Sequence, residues 1–281
     1  MIFAEWGCIR AAYTVKRLSA LGDSLGAMSN VETSQVGSCR EIWLKREAKK
    51  NALTVAMYEA LCTAIEEAEA DKAVRSLLIT GGDQCFTAGN DLNDFLQTPP
   101  DADSPVMRFI GWLPRVIKPL VAAVSGPAIG VGTTLLLHCD LVYADSTARF
   151  RMPFVDLGAV PEAGSSLLLP RMMGHQRAAE LLLLGKAFGA EEAHQLGIVS
   201  AACAPGEALT LARQACAKLG RLSPAAVRET KRLMRRASKE QLADTMLEEG
   251  RLFAEHIRSA EAQEAIFAFL GKREPDFSKF E

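Results

Sequence analysis

The sequence predicts an α/β fold in which short strands alternate with helices, followed by a C-terminal region made of helices alone. Strand patterns at 40–45, 74–80 and 120–124 are each followed by a loop and a helical pattern, and this loose repeat favours an α/β core. From 207 to 271 the apolar residues recur with a helical period that is broken near Ser223-Pro224. A chain of 281 residues with 49% hydrophobic residues can bury a substantial core.

The elements of the first part each follow from local chemistry. In 40–45, Ile42 and Leu44 alternate with polar residues, as in a half-buried strand. Thr54 is a suitable N-cap for a helix over 54–70, because its hydroxyl accepts a backbone N–H of the first turn. The other predicted elements are a strand at 74–80, a loop at 83–92, a surface loop at 98–105, a strand at 120–124, helices at 109–117, 131–139, 174–184 and 190–196, and a strand at 198–202.

Three segments are expected along the chain. The core comprises 28–205 and the helical C-terminal region comprises 206–281. Residues 1–27 contain basic residues and few acids, and we interpret them as a poorly ordered N-terminal extension, with Met28 as an alternative start. A weak transit peptide is the other interpretation of this composition.

Composition excludes several function classes. A formal net charge of -2 is too close to neutral for a general nucleic-acid binder. The seven cysteines form no CxxC pair, which is typical of reduced thiols in a cytoplasmic protein, and no metal site is predicted. No apolar run is long enough to span a bilayer, so no membrane partner is expected.

A glycine-rich turn follows the 120–124 strand and opens a helix at Val131. Its sequence, GPAIGVGTT, partly matches a dinucleotide-binding motif, but Leu135 stands where a third glycine is expected. The turn could otherwise serve only to pack a helix closely on a sheet. A helix start also offers unpaired N–H donors, which suit an oxygen that becomes negative during a reaction. The loop at 87–92, with Gly89, also follows a strand and could aim a second N–H group at the same place.

Several separated motifs, in one order from Arg40 to Phe277, resemble the crotonase (enoyl-CoA hydratase/isomerase) superfamily. The motifs are Lys50-Asn51-Ala52-Leu53, Phe86-Thr87-Ala88-Gly89-Asn90-Asp91-Leu92, Ser125-Gly126-Pro127-Ala128-Ile129-Gly130-Val131-Gly132, Cys139-Asp140, Pro153-Phe154, Leu157-Gly158, and Ala193 with Gly197-Ile198-Val199. The resemblance implies a spiral of strand–strand–helix units and a helical C-terminal region that mediates trimers or dimers of trimers. It also implies an acyl-CoA thioester substrate and no cofactor beyond CoA itself.

The resemblance also implies roles for individual residues. The backbone N–H groups of Asn90 and Val131 would form an oxyanion hole for the thioester oxygen. The residues that would contact CoA are Ala48, Ala88, Gly89, Asp91, Leu92 and Lys272. For Lys272, an exposed lysine without function is an equal alternative.

Departures from the family pattern bear on the reaction. Hydratases of this family use two glutamates, at positions that here resemble Thr134 and Phe154. Glu162 instead lies in a Pro-Glu-Ala-Gly turn followed by serines, which is similar to the Δ3,Δ2-enoyl-CoA isomerases with their single glutamate. We therefore interpret Glu162 as a catalytic base whose pKa is raised by an apolar pocket of Phe154, Val160 and Leu135. The alternatives are a hydratase with altered acid and base groups, and a non-catalytic acyl-CoA-binding protein.

Other polar residues receive structural interpretations. We expect Asp156 to form an ion pair and His138 to be a hydrogen-bonded core histidine. The Cys85 thiol has no predicted activating histidine. The basic segment 231–239 is interpreted as a solvated helix face, with a phosphate contact as the less favoured alternative.

Overall fold

A six-stranded sheet forms the centre of the protein, as seen in a computed structural model that describes residues 30–97, 101 and 103–280. The described residues form nine strands, which are β1 (Val31–Val36), β2 (Cys39–Leu44), β3 (Ser76–Thr80), β4 (Leu120–Val124), β5 (Pro127–Ile129), β6 (Leu141–Asp145), β7 (Arg149–Arg151), β8 (Phe188–Gly189) and β9 (Ala201–Cys203). The large sheet has the order β1-β2-β3-β4-β6-β9. Its β1–β2 pair is antiparallel and the other pairs are parallel.

A second sheet has three strands in the order β5-β7-β8. Successive units of the chain contribute one strand to each sheet: β4 is followed by β5, and β6 by β7. β5 and β7 pair in parallel, so that Ala128 lies opposite Phe150. The chain therefore advances as a spiral of strand–strand–helix units, as the family resemblance implied.

Helices complete each unit and make up the C-terminal region. They are α1 (Val55–Ala70), α2 (Leu92–Gln97), α3 (Pro105–Trp112), α4 (Val131–Thr134), α5 (Ser165–Met173), α6 (His175–Leu183), α7 (Ala190–Gln195), α8 (Ala208–Leu219), α9 (Pro224–Arg236), α10 (Lys239–His256) and α11 (Ala260–Leu270). Four 3₁₀ turns are found in the described residues, at Glu47–Lys49, Leu113–Arg115, Leu135–His138 and Val155–Leu157. None of the helices formed by these residues is long and apolar enough to cross a membrane.

The core supports the strand and helix predictions for the first units. All five residues of β3 and all five of β4 are buried, as expected for central parallel strands. Thr54 caps α1 as predicted, with its hydroxyl accepting the Met57 N–H at 3.3 Å. The face of the large sheet opposite to α1 is covered by α8, which packs Cys216 and two alanines against β3 and β4.

Three predicted elements are corrected by the structure. The helix predicted at 131–139 is one α-helical turn, α4, continued by the 3₁₀ turn Leu135–His138. That apolar segment is buried on nearly all sides, so its composition carried no signal for helix length. The helix predicted at 109–117 is α3, which has Ser104 as its N-cap, begins at Pro105 and ends at Trp112. The strand predicted at 198–202 is β9, which comprises only Ala201–Cys203. Of the predicted surface loop, 98–100 and 102 lie outside the described residues, as do 1–27.

The basic segment 231–239 is not simply a solvated face. Lys231, which is 7% exposed, donates through Nζ to Asp140 at 2.6 Å and to the Lys118 carbonyl at 2.7 Å. Arg235 donates to the His138 carbonyl and to Asp140. These two cations point inward because the half-buried Asp140 carboxylate and nearby carbonyl groups need donors, and they attach α9 to the core. The segment limits 28–205 and 206–281 stay predictions, although the last strand ends at Cys203.

Candidate active site

The loop that contains Asn90 lies beside the segment before α1. Hydrogen bonds join Ala88 N–H to the Lys50 carbonyl at 2.9 Å, Leu53 N–H to the Gly89 carbonyl at 2.8 Å, and Asp91 N–H to the Leu53 carbonyl at 2.9 Å. Leu53 and Asn90 thus form a parallel bridge in which the neighbours of Asn90, Gly89 and Asp91, make both hydrogen bonds to Leu53. The N–H of Asn90 itself therefore points to the other side of the loop.

On that other side lies the glycine-rich turn. Thr87 forms an isolated bridge with Ala128, and Ile129 N–H donates to the Thr87 carbonyl at 3.0 Å. A Cβ at Gly89 would lie 2.7 Å from the Ile129 carbonyl oxygen, and Gly89 has a φ of 87°. Only glycine permits this approach and this conformation. The two loops are therefore in direct contact beside Asn90.

Val131 is the first residue of α4, after Gly130 at a φ of 57°. N–H groups of a first helical turn have no partner within the helix. Among the described residues we find no backbone hydrogen bond donated by Asn90 or by Val131. Two main-chain donors from adjoining loops are thus available for an oxygen that acquires negative charge.

Glu162 is 3% exposed. The Thr134 hydroxyl, in the last residue of α4, donates to its Oε1 atom. Its Oε2 atom is buried and has no hydrogen-bond partner within the described chain. Burial raises the pKa of Glu162 from 4.5 to about 8, opposed by the Thr134 hydrogen bond and assisted by the charge of Glu249. The carboxyl group is therefore poised to exchange a proton near neutral pH.

Tyr58 of α1 connects the first loop to this carboxyl group. Its side chain is fully buried, and its hydroxyl donates to the Asn90 Oδ1 atom. Burial raises the pKa of Tyr58, and the negative charge of Glu162 raises it further. Tyr58 thus lies within electrostatic reach of Glu162 while it holds the Asn90 side chain. Asn90, Val131 and Glu162 consequently surround one region of the protein.

The turn after Glu162 is held by a buried histidine. Ala163 has a φ of 57°, which is strained for alanine. His138 Nε2 is 2.7 Å from the Ala163 carbonyl, which can only accept, so Nε2 carries the proton. Burial lowers the pKa of His138 to about 4, and the imidazole is neutral. The expectation of a hydrogen-bonded core histidine is confirmed.

The residues assigned to CoA by resemblance are distributed over three places. Ala48 is exposed in the Glu47–Lys49 turn, beside the loop that contains Ala88 and Gly89. Asp91 forms an ion pair with Arg46 at 2.7 Å. Burial opposes ionisation of Asp91, but hydrogen bonds from Arg46 and Asn93 lower its pKa overall. Leu92 begins α2.

Lys272 lies in the turn after α11, exposed, with a φ of 52°. Its role toward CoA stays a prediction.

The remaining polar residues behave as structural groups. Asp156 pairs with Arg151 at 3.2 Å, as expected. The Cys85 thiol donates to the Lys50 carbonyl, and burial raises its pKa to about 11, so it is a poor nucleophile. In the part of the chain that the structure describes, no group of three or more His, Cys, Asp or Glu residues is arranged to hold a metal ion.

Sequence reasoning missed two residues near the site. Tyr58 occupies an ordinary buried position of α1, so nothing in the pattern separated it from the core. Glu249 of α10 accepts the Gly164 N–H at 2.6 Å and the Ser166 N–H at 2.9 Å, and also binds the Ser166 hydroxyl. Because α10 is distant in sequence and has many acidic residues, only the fold distinguishes Glu249 from its neighbours.

A spiral of strand–strand–helix units that brings two main-chain donors, unpaired among the described residues, near a buried acid is typical of the class of acyl-transfer and enolate-forming enzymes. Residues 35–279 match the family model described as enoyl-CoA hydratase/isomerase. The chain therefore belongs to the enoyl-CoA hydratase/isomerase family, within the crotonase superfamily, and is an acyl-CoA enzyme of that family.

Relatives include proteins named for both activities. The 2,3-dehydroadipyl-CoA hydratase of Escherichia coli K12 is 35% identical over 89% of this chain and 99% of the relative. The enoyl-CoA delta isomerase 2 of Rattus norvegicus is 35% identical over 84% of this chain and 62% of the relative. Among solved structures, OdaA of Pseudomonas aeruginosa is 51% identical, with a TM-score of 0.85, covering 86% of this chain and 98% of that chain. Identity alone does not separate hydratase from isomerase.

Proposed function

We propose that this enzyme shifts the double bond of a 3-enoyl-CoA to the 2-position. The observation that carries the proposal is Glu162: a buried carboxyl group with a pKa raised to about 8 and one free oxygen atom. The hydratase positions hold Thr134 and Phe154, neither of which can transfer a proton as a carboxyl group does. One base is sufficient for isomerisation, whereas two-carboxylate water addition needs a second acid or base group.

The steps follow from this arrangement. Glu162 takes a proton from C2 of the substrate, and the electron pair delocalises into the thioester carbonyl to form a dienolate. The N–H groups of Asn90 and Val131 stabilise the resulting oxyanion. Glu162 then returns the proton to C4, which leaves the double bond between C2 and C3. The Thr134 hydroxyl orients Glu162 and leaves Oε2 for the substrate. The reaction is redox-neutral, so no cofactor beyond the CoA of the substrate is required.

Hydration of a 2-enoyl-CoA is the second candidate. It is favoured by the relative named 2,3-dehydroadipyl-CoA hydratase, which is as similar to this chain as the relative named enoyl-CoA delta isomerase 2. In that case Glu162 would activate a water molecule that adds to C3. A separate group would have to protonate C2, and neither Thr134 nor Phe154 is suited to that task.

A product assay in D2O separates the candidates. The purified protein is incubated with a 3-enoyl-CoA and, separately, with a 2-enoyl-CoA, and products are identified by liquid chromatography with mass spectrometry. We expect 2-enoyl-CoA from the first substrate and no 3-hydroxyacyl-CoA from the second. A 3-hydroxyacyl-CoA product would identify a hydratase. CoA binding without turnover of either substrate would support a non-catalytic acyl-CoA-binding protein.

The pH dependence of kcat/KM for 3-enoyl-CoA follows from the raised pKa of Glu162. The base must be ionised in the free enzyme, so kcat/KM should rise with pH through a single ionisation near pH 8. Stopped assays at constant ionic strength from pH 6 to pH 9.5 measure this profile. A bell-shaped profile would instead indicate a second essential acid, as in a hydratase.

We also propose that the CoA moiety of the substrate lies against Ala48, Ala88, Gly89, Asp91, Leu92 and Lys272.

We propose further that the protein forms homotrimers or dimers of trimers. The C-terminal helices expose large apolar side chains, including Met234 at 76% and Leu247 at 69%. Exposed apolar surface of this kind marks association sites. Sedimentation equilibrium should give a mass of three or six chains, and a monomer at micromolar concentration would contradict the assembly.

A further inference from the structure

The turn that carries Glu162 is held from the C-terminal region by a second buried glutamate. Glu249, on α10, is 6% exposed. Its carboxylate oxygens accept the Gly164 N–H at 2.6 Å and the Ser166 N–H at 2.9 Å, together with the Ser166 hydroxyl. These donors all belong to the start of α5, two to four residues after Glu162. Each of these hydrogen bonds therefore joins α10 to the start of α5, the segment that directly follows Glu162.

The start of α5 would otherwise favour ionisation of Glu162. N–H groups of a first helical turn are unpaired and carry partial positive charge, which stabilises a nearby anion. Gly164, the N-cap of α5, has no side chain to satisfy them. The Glu249 carboxylate accepts hydrogen bonds from these donors, whereas the Glu162 carboxyl group accepts one hydrogen bond, from Thr134, within the described residues. The Glu249 carboxylate thus accepts three hydrogen bonds from this turn, and the Glu162 carboxyl group accepts none of them.

We propose that Glu249 is a positioning residue that keeps Glu162 a strong base, by occupying the α5 donors and by placing a negative charge behind the catalytic turn. This inference rests on the proposed role of Glu162 as the base. It assigns to the C-terminal helical region a direct influence on the reaction, in addition to any part in assembly.

The other groups that face Glu162 are neutral at moderate pH. Tyr58 of α1 has a pKa raised by burial and by Glu162 itself. His138, in the turn after α4, is neutral because burial lowers its pKa to about 4. Thr134 of α4 does not titrate. Glu249 of α10 faces Gly164, Ser166 and, across the turn, Glu162. Burial raises the pKa of Glu249, and the hydrogen bonds from Ser166 and Gly164 oppose that rise by stabilising its carboxylate. After burial, the charge of Glu249 is the other influence that raises the pKa of Glu162.

Three variants test the proposal. Glu249→Gln removes the charge and retains the side-chain shape, whereas Glu249→Asp retains the charge. Glu248→Gln is the matched control, because Glu248 is the preceding residue of the same helix, is exposed, and pairs with Arg251 at 3.1 Å. For each variant, kcat/KM for a 3-enoyl-CoA is measured from pH 5 to pH 9.5. A structural role alone would lower activity without moving the profile.

We expect Glu249→Gln to move the rising limb of the profile to lower pH by about half a unit or more, and to lower the high-pH plateau, since a weaker base abstracts the proton more slowly. Glu249→Asp and Glu248→Gln should leave the limb near its wild-type position. An unmoved limb in Glu249→Gln, or an equal shift in Glu248→Gln, would overturn the proposal.

A measurement on the wild-type protein is independent of turnover and of the folding of any variant. The amide protons of Gly164 and Ser166 donate to Glu249, so their NMR shifts report its ionisation. We expect these shifts to titrate at lower pH than the Glu162 carboxyl carbon, which is assigned by its loss in Glu162→Gln. Simultaneous titration, or ionisation of Glu162 first, would overturn the inference. If the titration has the expected order but no 3-enoyl-CoA is converted, the proposed function fails and the electrostatic coupling stands.

Discussion

Glu162→Gln should lower kcat for isomerisation of a 3-enoyl-CoA by about 10³- to 10⁴-fold with little change in KM. The loss is large because, in the proposed mechanism, one carboxyl group removes the C2 proton and also returns it at C4. The amide has the same shape and can still accept from Thr134, so substrate binding is retained. Initial rates with purified protein at pH 8.5, where the wild-type base is mostly ionised, measure the effect.

Asp156→Asn is a suitable control for Glu162→Gln. Asp156 is also an acid in this part of the chain, but it is exposed and paired with Arg151 at 3.2 Å. We expect its removal to change kcat by less than about twofold, because surface ion pairs contribute little. Retention of more than a tenth of wild-type activity in Glu162→Gln would rule out Glu162 as the base.

Glu162→Gln should also stabilise the fold at alkaline pH. The folded-state pKa of Glu162 lies above its ordinary value, so the native state retains a proton that the unfolded chain releases. Stability from this group is therefore lost as pH rises from 4.5 toward 8. Glu162→Gln avoids that loss, and its free energy of unfolding should exceed the wild-type value by about 2–4 kcal/mol at pH 8. Urea denaturation should show the difference vanishing near pH 4.5.

Gly89→Ala should lower kcat by about 10²- to 10³-fold, the cost of misplacing one of the two proposed oxyanion donors. The added Cβ would lie 2.7 Å from the Ile129 carbonyl oxygen, which belongs to backbone and cannot rotate away. The loop must then move away from the glycine-rich turn, and the Asn90 N–H moves with it. The measurement is kcat for 3-enoyl-CoA, together with the melting temperature to verify folding.

Gly37→Ala separates this displacement from backbone strain. Gly37 has a φ of 59°, so alanine is strained there by about 1–2 kcal/mol, but a Cβ at Gly37 has no neighbour within 4 Å. It lies in the turn between β1 and β2, remote in sequence from both loops. We expect reduced stability with unchanged kcat. Equal losses of kcat in Gly37→Ala and Gly89→Ala would show that strain, and not displacement of Asn90, causes the effect.

Much of the fold could be predicted from local patterns. β2, β3, β4 and α1 have apolar periods or short buried runs with clear boundaries, such as Thr54 at the start of α1. The short strands of the second sheet were missed, because three residues contain too little periodicity to recognise. The inward-facing Lys231 and Arg235 were misjudged for a different reason: a basic helix face looks solvated until a half-buried partner such as Asp140 is placed beside it.

The sequence by itself determined the family, the two glycine loops and the position of Glu162, because each depends on residues that are contiguous in the chain. Only the tertiary structure decided how the site is balanced. Tyr58 meets Asn90 across 32 residues, and Glu249 meets Ser166 across 83 residues. Hydrogen bonds and charge effects depend on distance in space, so no local pattern could have shown that Glu162 is left with Thr134 while Glu249 takes the donors of α5.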